Sequence, residues 1–185
     1  MYEASELRNG HFIENNGKLL RVLNYHHNKT GRGGAVIKIK VKDVLSGSIT
    51  EMTIRPGEKF KPADISRQKY QFLYADGEAY HFMNTADYNQ IVLGPAVLDE
   101  SVNFLTENLE VYLIFWGEKA IGVDLPSSLT LKVTFTEPGV KGDTVSGATK
   151  LAKLETGYQL KVPLFVNNGT LIKVSTETGE YLERA

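Results

Sequence analysis

The chain has 185 residues, 42% of them hydrophobic, a length for one to three small domains and a composition that excludes disorder. It has no cysteine, which excludes a disulfide framework and any cysteine-ligated metal and suits a reducing cytoplasm. The net charge is only −1, yet residues 1–62 carry 11 Lys/Arg against 6 Asp/Glu (+5), residues 63–127 carry 3 against 10 (−7), and residues 128–185 carry 7 against 6 (+1), so a basic head precedes an acidic middle.

The N-terminal MYEASELRNG has no basic stretch followed by an apolar run, so no secretory signal is expected. Asn16-Gly17 predicts a turn into a strand from Leu19 to His27. Next, Ala35, Ile37, Ile39 and Val41 alternate with Lys38, Lys40 and Lys42, the period of a strand with one face on a core. Ser46-Gly47 is the following turn, and Phe60-Lys61-Pro62-Ala63, where the charge reverses, is a boundary. Tyr70, Phe72, Tyr74, Tyr80 and Phe82 predict a hairpin around Asp76-Gly77, with most of these rings filling a core. Val97 to Leu105 is the one candidate helix. Val111 to Trp116, the longest apolar run, has strand length and is too short to span a membrane. Leu125-Pro126-Ser127-Ser128 is a second boundary. Beyond it Leu129, Leu131, Val133 and Phe135 alternate with Thr130, Lys132, Thr134 and Thr136, placing Phe135 on the core face. Tyr158, Leu160, Val162, Leu164 and Val166 repeat the pattern. The chain is therefore all-β, in three parts: 1–63, 64–127 and 128–185. Each has about 60 residues, a size that suits small barrels, whose closure removes edge strands.

Two features carry candidate chemistry. In Lys29-Thr30-Gly31-Arg32-Gly33-Gly34-Ala35, three glycines surround one arginine between two strands. Glycine permits close backbone approach, and a guanidinium can fork onto phosphate or stack on a base. A plain hairpin turn with a solvated arginine fits the spacing equally well. Lys38, Lys40 and Lys42, near Lys29 and Arg21, could track a phosphate backbone. Solvation and protection of a strand edge are the commoner uses of such a row, and the +5 charge of the head favours RNA. No catalytic residue is expected: there is no Gly-x-Ser-x-Gly, no Gly-Lys-Ser/Thr phosphate loop, and the four histidines form no ligand cluster, so neither a metal nor another cofactor is expected.

Three segments carry a family resemblance. The third part contains Pro138-Gly139-Val140-Lys141-Gly142-Asp143-Thr144-Val145-Ser146-Gly147-Ala148-Thr149-Lys150, followed by Val162-Pro163-Leu164-Phe165 and Thr176-Glu177-Thr178-Gly179-Glu180-Tyr181-Leu182-Glu183-Arg184. The first part has Gly31-Arg32-Gly33-Gly34-Ala35 and Leu45-Ser46-Gly47. The middle has Leu73-Tyr74-Ala75-Asp76-Gly77 and Phe82-Met83. Together they resemble the elongation factor P family of bacteria, itself related to the hypusine-bearing initiation factor 5A family. The resemblance implies an SH3-like, KOW-type barrel followed by two OB-fold barrels in an L-shaped, tRNA-like arrangement. It implies a cytoplasmic factor, with no membrane association and expected to be a monomer, whose partners are the 70S ribosome, ribosomal RNA and the P-site peptidyl-tRNA. Such factors bind between the P and E sites and relieve stalling at consecutive prolines. Arg32 takes the place of the residue that reaches the CCA end of the tRNA, supported by Lys29, Gly31, Gly33 and Gly34. Gly142, Asp143 and Thr144 take the place of a third-domain contact near the small subunit and its codon. Many relatives carry a β-lysylated lysine at the tip. Others carry a rhamnosylated arginine followed by Asn-Ala-Ala, where this chain has Gly33-Gly34-Ala35, so an unmodified and a modified Arg32 both remain open.

The mechanism so implied needs no acid–base pair, because holding peptidyl-tRNA in attack geometry lowers a barrier without proton transfer. The alternative is a generic RNA-binding module of KOW and OB barrels acting away from the peptidyl transferase centre. A small β-barrel enzyme has no motif in its favour.

Overall fold

Alternating strands and positive-φ turns build three antiparallel sheets. The computed structural model describes residues 1–29, 35–139 and 147–185, the side chains of residues 27–29 and 35 excepted. The first sheet comprises β1 (Tyr2–Glu3), β2 (Phe12–Asn15), β3 (Lys18–Lys29), β4 (Ala35–Asp43), β5 (Ile49–Ile54) and β6 (Lys59–Pro62), in the order β1-β6-β2-β3-β4-β5. Asn16 and Gly17 both have positive φ, and Asn15 pairs with Lys18, so the expected turn is a two-residue loop of the kind that matches strand twist.

The second sheet contains β7 (Ile65–Asp76), β8 (Ala79–Asn84), β9 (Gln90–Leu93), β10 (Glu110–Trp116) and β11 (Lys119–Asp124), in the order β11-β10-β7-β8-β9. Between β9 and β10 the expected helix appears as a short α1 (Pro95–Leu98) running into a 3-10 turn over Asp99–Phe104. The β7–β8 loop lies one residue later than Asp76-Gly77 predicts: Asp76 still pairs with Ala79, which leaves Gly77 (φ +60°) and Glu78 to turn the chain. Tyr70, Phe72 and Phe82 are buried, with the Phe72 and Phe82 rings edge to face at 5.3 Å.

The third sheet contains β12 (Ser128–Thr136), β13 (Thr149–Leu154), β14 (Gln159–Pro163), β15 (Leu171–Ser175) and β16 (Tyr181–Arg184), in the order β14-β13-β12-β15-β16. The second and third sheets share one topology. In each the first strand is central, strands two and three form a meander on one side, and strands four and five form a hairpin on the other. In the third sheet β14 also contacts β16, so the sheet curls toward closure as in an OB barrel.

The chain packs as two compact units, Met1–Arg67 with Ile114–Ile121, and Gln68–Leu113 with Gly122–Ala185. The first has a core of Leu7, Ile13, Val22, Ile37, Ile39, Val41 and Ile54, and a second small cluster in which Ile114 and Ile121 meet Phe12 and Leu19. The second unit includes a core built by Leu131, Val133, Leu154, Val162, Ile172 and Val174, with Phe104 set against Tyr158 at 5.2 Å.

One expectation is corrected. Phe135 does not face the core; it is 59% exposed, while Thr136 is buried. The cause is a bulge in β12. Val133 pairs with Leu154 and Phe135 with the adjacent Lys153, so Thr134 is an extra residue and the alternation inverts after it. The buried Thr136 is fully engaged: its hydroxyl donates to the Leu151 carbonyl at 2.8 Å, and its N–H donates to the Asn168 side-chain oxygen at 2.7 Å.

Candidate nucleic-acid interface

β3 and β4 are the longest paired strands of the first sheet, and their register runs from Leu20↔Asp43 to Lys29↔Ala35. β5 accompanies β4 only as far as Ile37↔Ile54. Beyond that pair the sheet narrows to a two-stranded ribbon, Asn28↔Val36 and Lys29↔Ala35. Ile37, fully buried, is the last core residue of β4 before the ribbon. The expected tip residues Gly31, Arg32, Gly33 and Gly34 lie outside the described residues, as does the side chain of Lys29.

The lysine row stands as its period predicts. Ile37, Ile39 and Val41 are buried, and Lys38 and Lys40 on the opposite face are exposed, with Lys42 half-buried. Across the ladder Lys38 faces His26 and Thr53, Lys40 faces Asn24 and Glu51, and Lys42 faces Arg21 and Ile49. A groove on this face is lined by Asn24, His26, Lys38, Lys40 and Glu51. Glu51 lies directly opposite Lys40 in the ladder and tempers the positive field there without closing an ion pair. Neither Lys38 nor Lys40 forms an ion pair with a described residue. Arg21 lies over the Phe12 ring, 5.5 Å from its centroid.

Asn24 and His26 on this face were not expected from the sequence. A bulge places them there. Val22 pairs with Val41 and Asn24 with Lys40, so Leu23 is an extra residue in β3. Regular alternation from Val22 would give Leu23, Tyr25 and His27 to the lysine face. The bulge sends Tyr25 to the core instead, where Arg8 lies over its ring at 5.7 Å, and gives the lysine face the hydrogen-bonding Asn24 and His26.

The far end of the face is fixed by Asp43. Its carboxylate accepts from the N–H groups of Ser46 and Leu45 at 3.2 and 3.0 Å, and Lys18 approaches at 3.8 Å. The Ser46 N–H above all holds this carboxyl below its ordinary value. The Asx turn so formed leads into Gly47 at φ +75°, the Leu45-Ser46-Gly47 segment of the sequence pattern.

In the third sheet, Gly142, Asp143 and Thr144 lie outside the described residues. Their flanks are described. Gly139 approaches Leu164 so closely that an added Cβ would sit 2.9 Å from its carbonyl oxygen, and Gly147 has φ +99°. Among the described residues no group of His, Asp and Glu could hold a metal ion, and no helix is long and apolar enough to cross a membrane.

Comparison with known proteins gives the same three-part pattern as the sheets. Residues 3–60 match the model of the elongation factor P KOW-like domain, residues 65–123 its OB domain, and residues 129–184 its C-terminal domain. The chain belongs to the elongation factor P family. Relatives named elongation factor P include one from Symbiobacterium thermophilum, 49% identical over all of both chains. Another, from Clavibacter michiganensis subsp. michiganensis, is 42% identical over all of this chain and 98% of its own. Among solved structures, an initiation factor 5A from Methanococcus jannaschii aligns at 20% identity with a TM-score of 0.43, covering 68% of this chain and 92% of its own. The chain is thus a translation elongation factor of KOW-like and OB architecture. Within the elongation factor P framework, the β3–β4 hairpin and its lysine face are the described part of the candidate interface, and Asn24 and His26 join it.

Proposed function

We propose that the chain binds the 70S ribosome between the P and E sites. There it contacts ribosomal RNA and holds the P-site peptidyl-tRNA in a geometry that speeds slow peptide bonds, above all between consecutive prolines. The observation that carries this is the β3–β4 hairpin: Lys38 and Lys40 beside Asn24 and His26 give it a cationic, hydrogen-bonding face where β5 still pairs, and past Ile37↔Ile54 its two strands run on without β5 to the segment that contains Arg32. Lys29, Gly31, Gly33 and Gly34 support that segment, and Arg32 reaches the CCA end. The ribosome supplies the catalytic centre; positioning alone lowers the barrier. The chain acts as a monomer in the cytoplasm, without metal or cofactor, and its three domains are 1–63, 64–127 and 128–185. Intact mass of the native protein decides whether Arg32 is bare or carries a deoxyhexose or another group. The direct test is a purified translation system stalled at Pro-Pro-Pro. Addition of the chain should speed full-length synthesis, and ribosome binding without any acceleration would favour a generic RNA-binding module.

Lys38, Lys40 and Lys42 are proposed to meet RNA phosphate. Replacing all three with Gln should weaken ribosome binding and flatten its dependence on salt by about 2 to 3 in the log–log slope. An unchanged slope assigns the row to solvation of the strand.

Gly142, Asp143 and Thr144 are proposed as a separate contact near the small subunit and its codon, where a carboxylate and a hydroxyl can meet base edges or a 2′-OH. Asp143→Ala should leave the melting temperature nearly unchanged and shorten residence on the ribosome. A lowered melting temperature with normal affinity would instead make Asp143 the anchor of an Asx turn.

A further inference from the structure

The outer face of β13 and β14 carries two lysines among exposed apolar groups. Leu151 pairs directly with Lys161, and Lys153 with Gln159, while Ala152, Leu154, Leu160 and Val162 on the other face are buried. Leu151 is 60% exposed. The β12 bulge adds Phe135 to the same face, in register with Lys153. Neither Lys153 nor Lys161 forms an ion pair with a described residue. Glu155, which follows β13, is drawn aside, its carboxylate accepting from the Lys132 N–H at 2.9 Å. Glu137 follows the end of β12.

Exposing a phenylalanine forfeits the burial that the sequence pattern offers it. The chain holds that inversion with two specific bonds, from the Thr136 hydroxyl to Leu151 and from the Thr136 N–H to Asn168. Bulges that re-aim a side chain concentrate at functional sites. In a barrel of OB topology, strands two and three form the face that meets oligonucleotides, and β13 and β14 are those strands here. A flat aromatic ring takes any base, and flanking lysines take the phosphates.

We propose that Phe135, Leu151, Lys153 and Lys161 form a platform for single-stranded RNA, built from residues other than those assigned to RNA contact above. Phe135 stacks on a base, Leu151 extends the apolar floor, and Lys153 and Lys161 neutralise adjacent phosphates. The proposal takes only its biological setting from the ribosomal function above, and its test contains no ribosome. Binding of fluorescein-labelled oligouridylate to the full chain is followed by anisotropy across a salt series. Phe135→Ala should weaken binding about 5- to 150-fold. The double change Lys153→Gln/Lys161→Gln should reduce the log–log salt slope by about 1.4. Phe135, Lys153 and Lys161 are exposed, and thermal unfolding of each variant checks that the fold is retained. Absence of wild-type binding, or equal binding by wild type and the Phe135 and lysine variants, overturns the platform; the latter result would leave the face to a protein partner. Loss of proline rescue in Arg32→Ala, or its retention, leaves this result untouched, so the two proposals fail separately.

Discussion

Arg32→Ala should remove most of the acceleration at a Pro-Pro-Pro sequence while the melting temperature stays close to that of the wild type. The expected size follows from what is lost. A hydrogen bond involving a charged group contributes about 1.5–3 kcal/mol, which corresponds to about 10- to 150-fold in rate if it acts on the positioned tRNA. Arg32 stands between Gly31 and Gly33, neither of which has a side chain to substitute for it. A surface substitution away from core and caps changes stability by about 0.5 kcal/mol or less. Arg32→Lys keeps the charge and loses the planar fork, so its activity should fall between the two. Reporter synthesis in a purified translation system and melting temperature are measured on the same preparations. Equal rescue by wild type and Arg32→Ala would refute the assignment. A matching drop in melting temperature would make the residue a support of the loop.

Ile37→Ala should lower stability by about 2–5 kcal/mol, because a large aliphatic side chain is removed from a site with no solvent exposure. Small domains hold about 5–15 kcal/mol in all, so the first unit would lose much of its margin. Ile37 pairs with Ile54 on one side and His27 on the other, where the three-stranded region gives way to the ribbon. Its loss therefore loosens the base of the hairpin as well as the core. Ile37→Val should cost only about 0.5–1.5 kcal/mol. The midpoint of urea unfolding reads the difference directly. Rescue by Ile37→Ala should recover on cooling to conditions where the protein is folded, which Arg32→Ala should not do. An unchanged midpoint would mean that the site repacks without a cavity.

Much of the candidate interface was legible because strand alternation is a local property. Ile37, Ile39 and Val41 against Lys38, Lys40 and Lys42 define a buried and an exposed face from β4 alone, and the positive φ that Asn16-Gly17 needs is available to those residues wherever the strands go. The family motifs are likewise contiguous in the chain. Pairing is not local, and there the sequence was silent. Leu23, Leu73 and Thr134 each become an extra residue only because the partner strand continues its register past them: Val22↔Val41 then Asn24↔Lys40, Phe72↔Phe82 then Tyr74↔His81, Val133↔Leu154 then Phe135↔Lys153. Each insertion inverts every side chain beyond it, since a strand repeats every two residues. That inversion put Asn24 and His26 beside the lysines, stacked the exposed Tyr74 on His81 at 4.3 Å, and turned Phe135 outward. The shared topology of the second and third sheets leaves no repeat in the residues themselves, because strand order is fixed by which edges meet in space; only the family resemblance, with its two OB barrels, implied it.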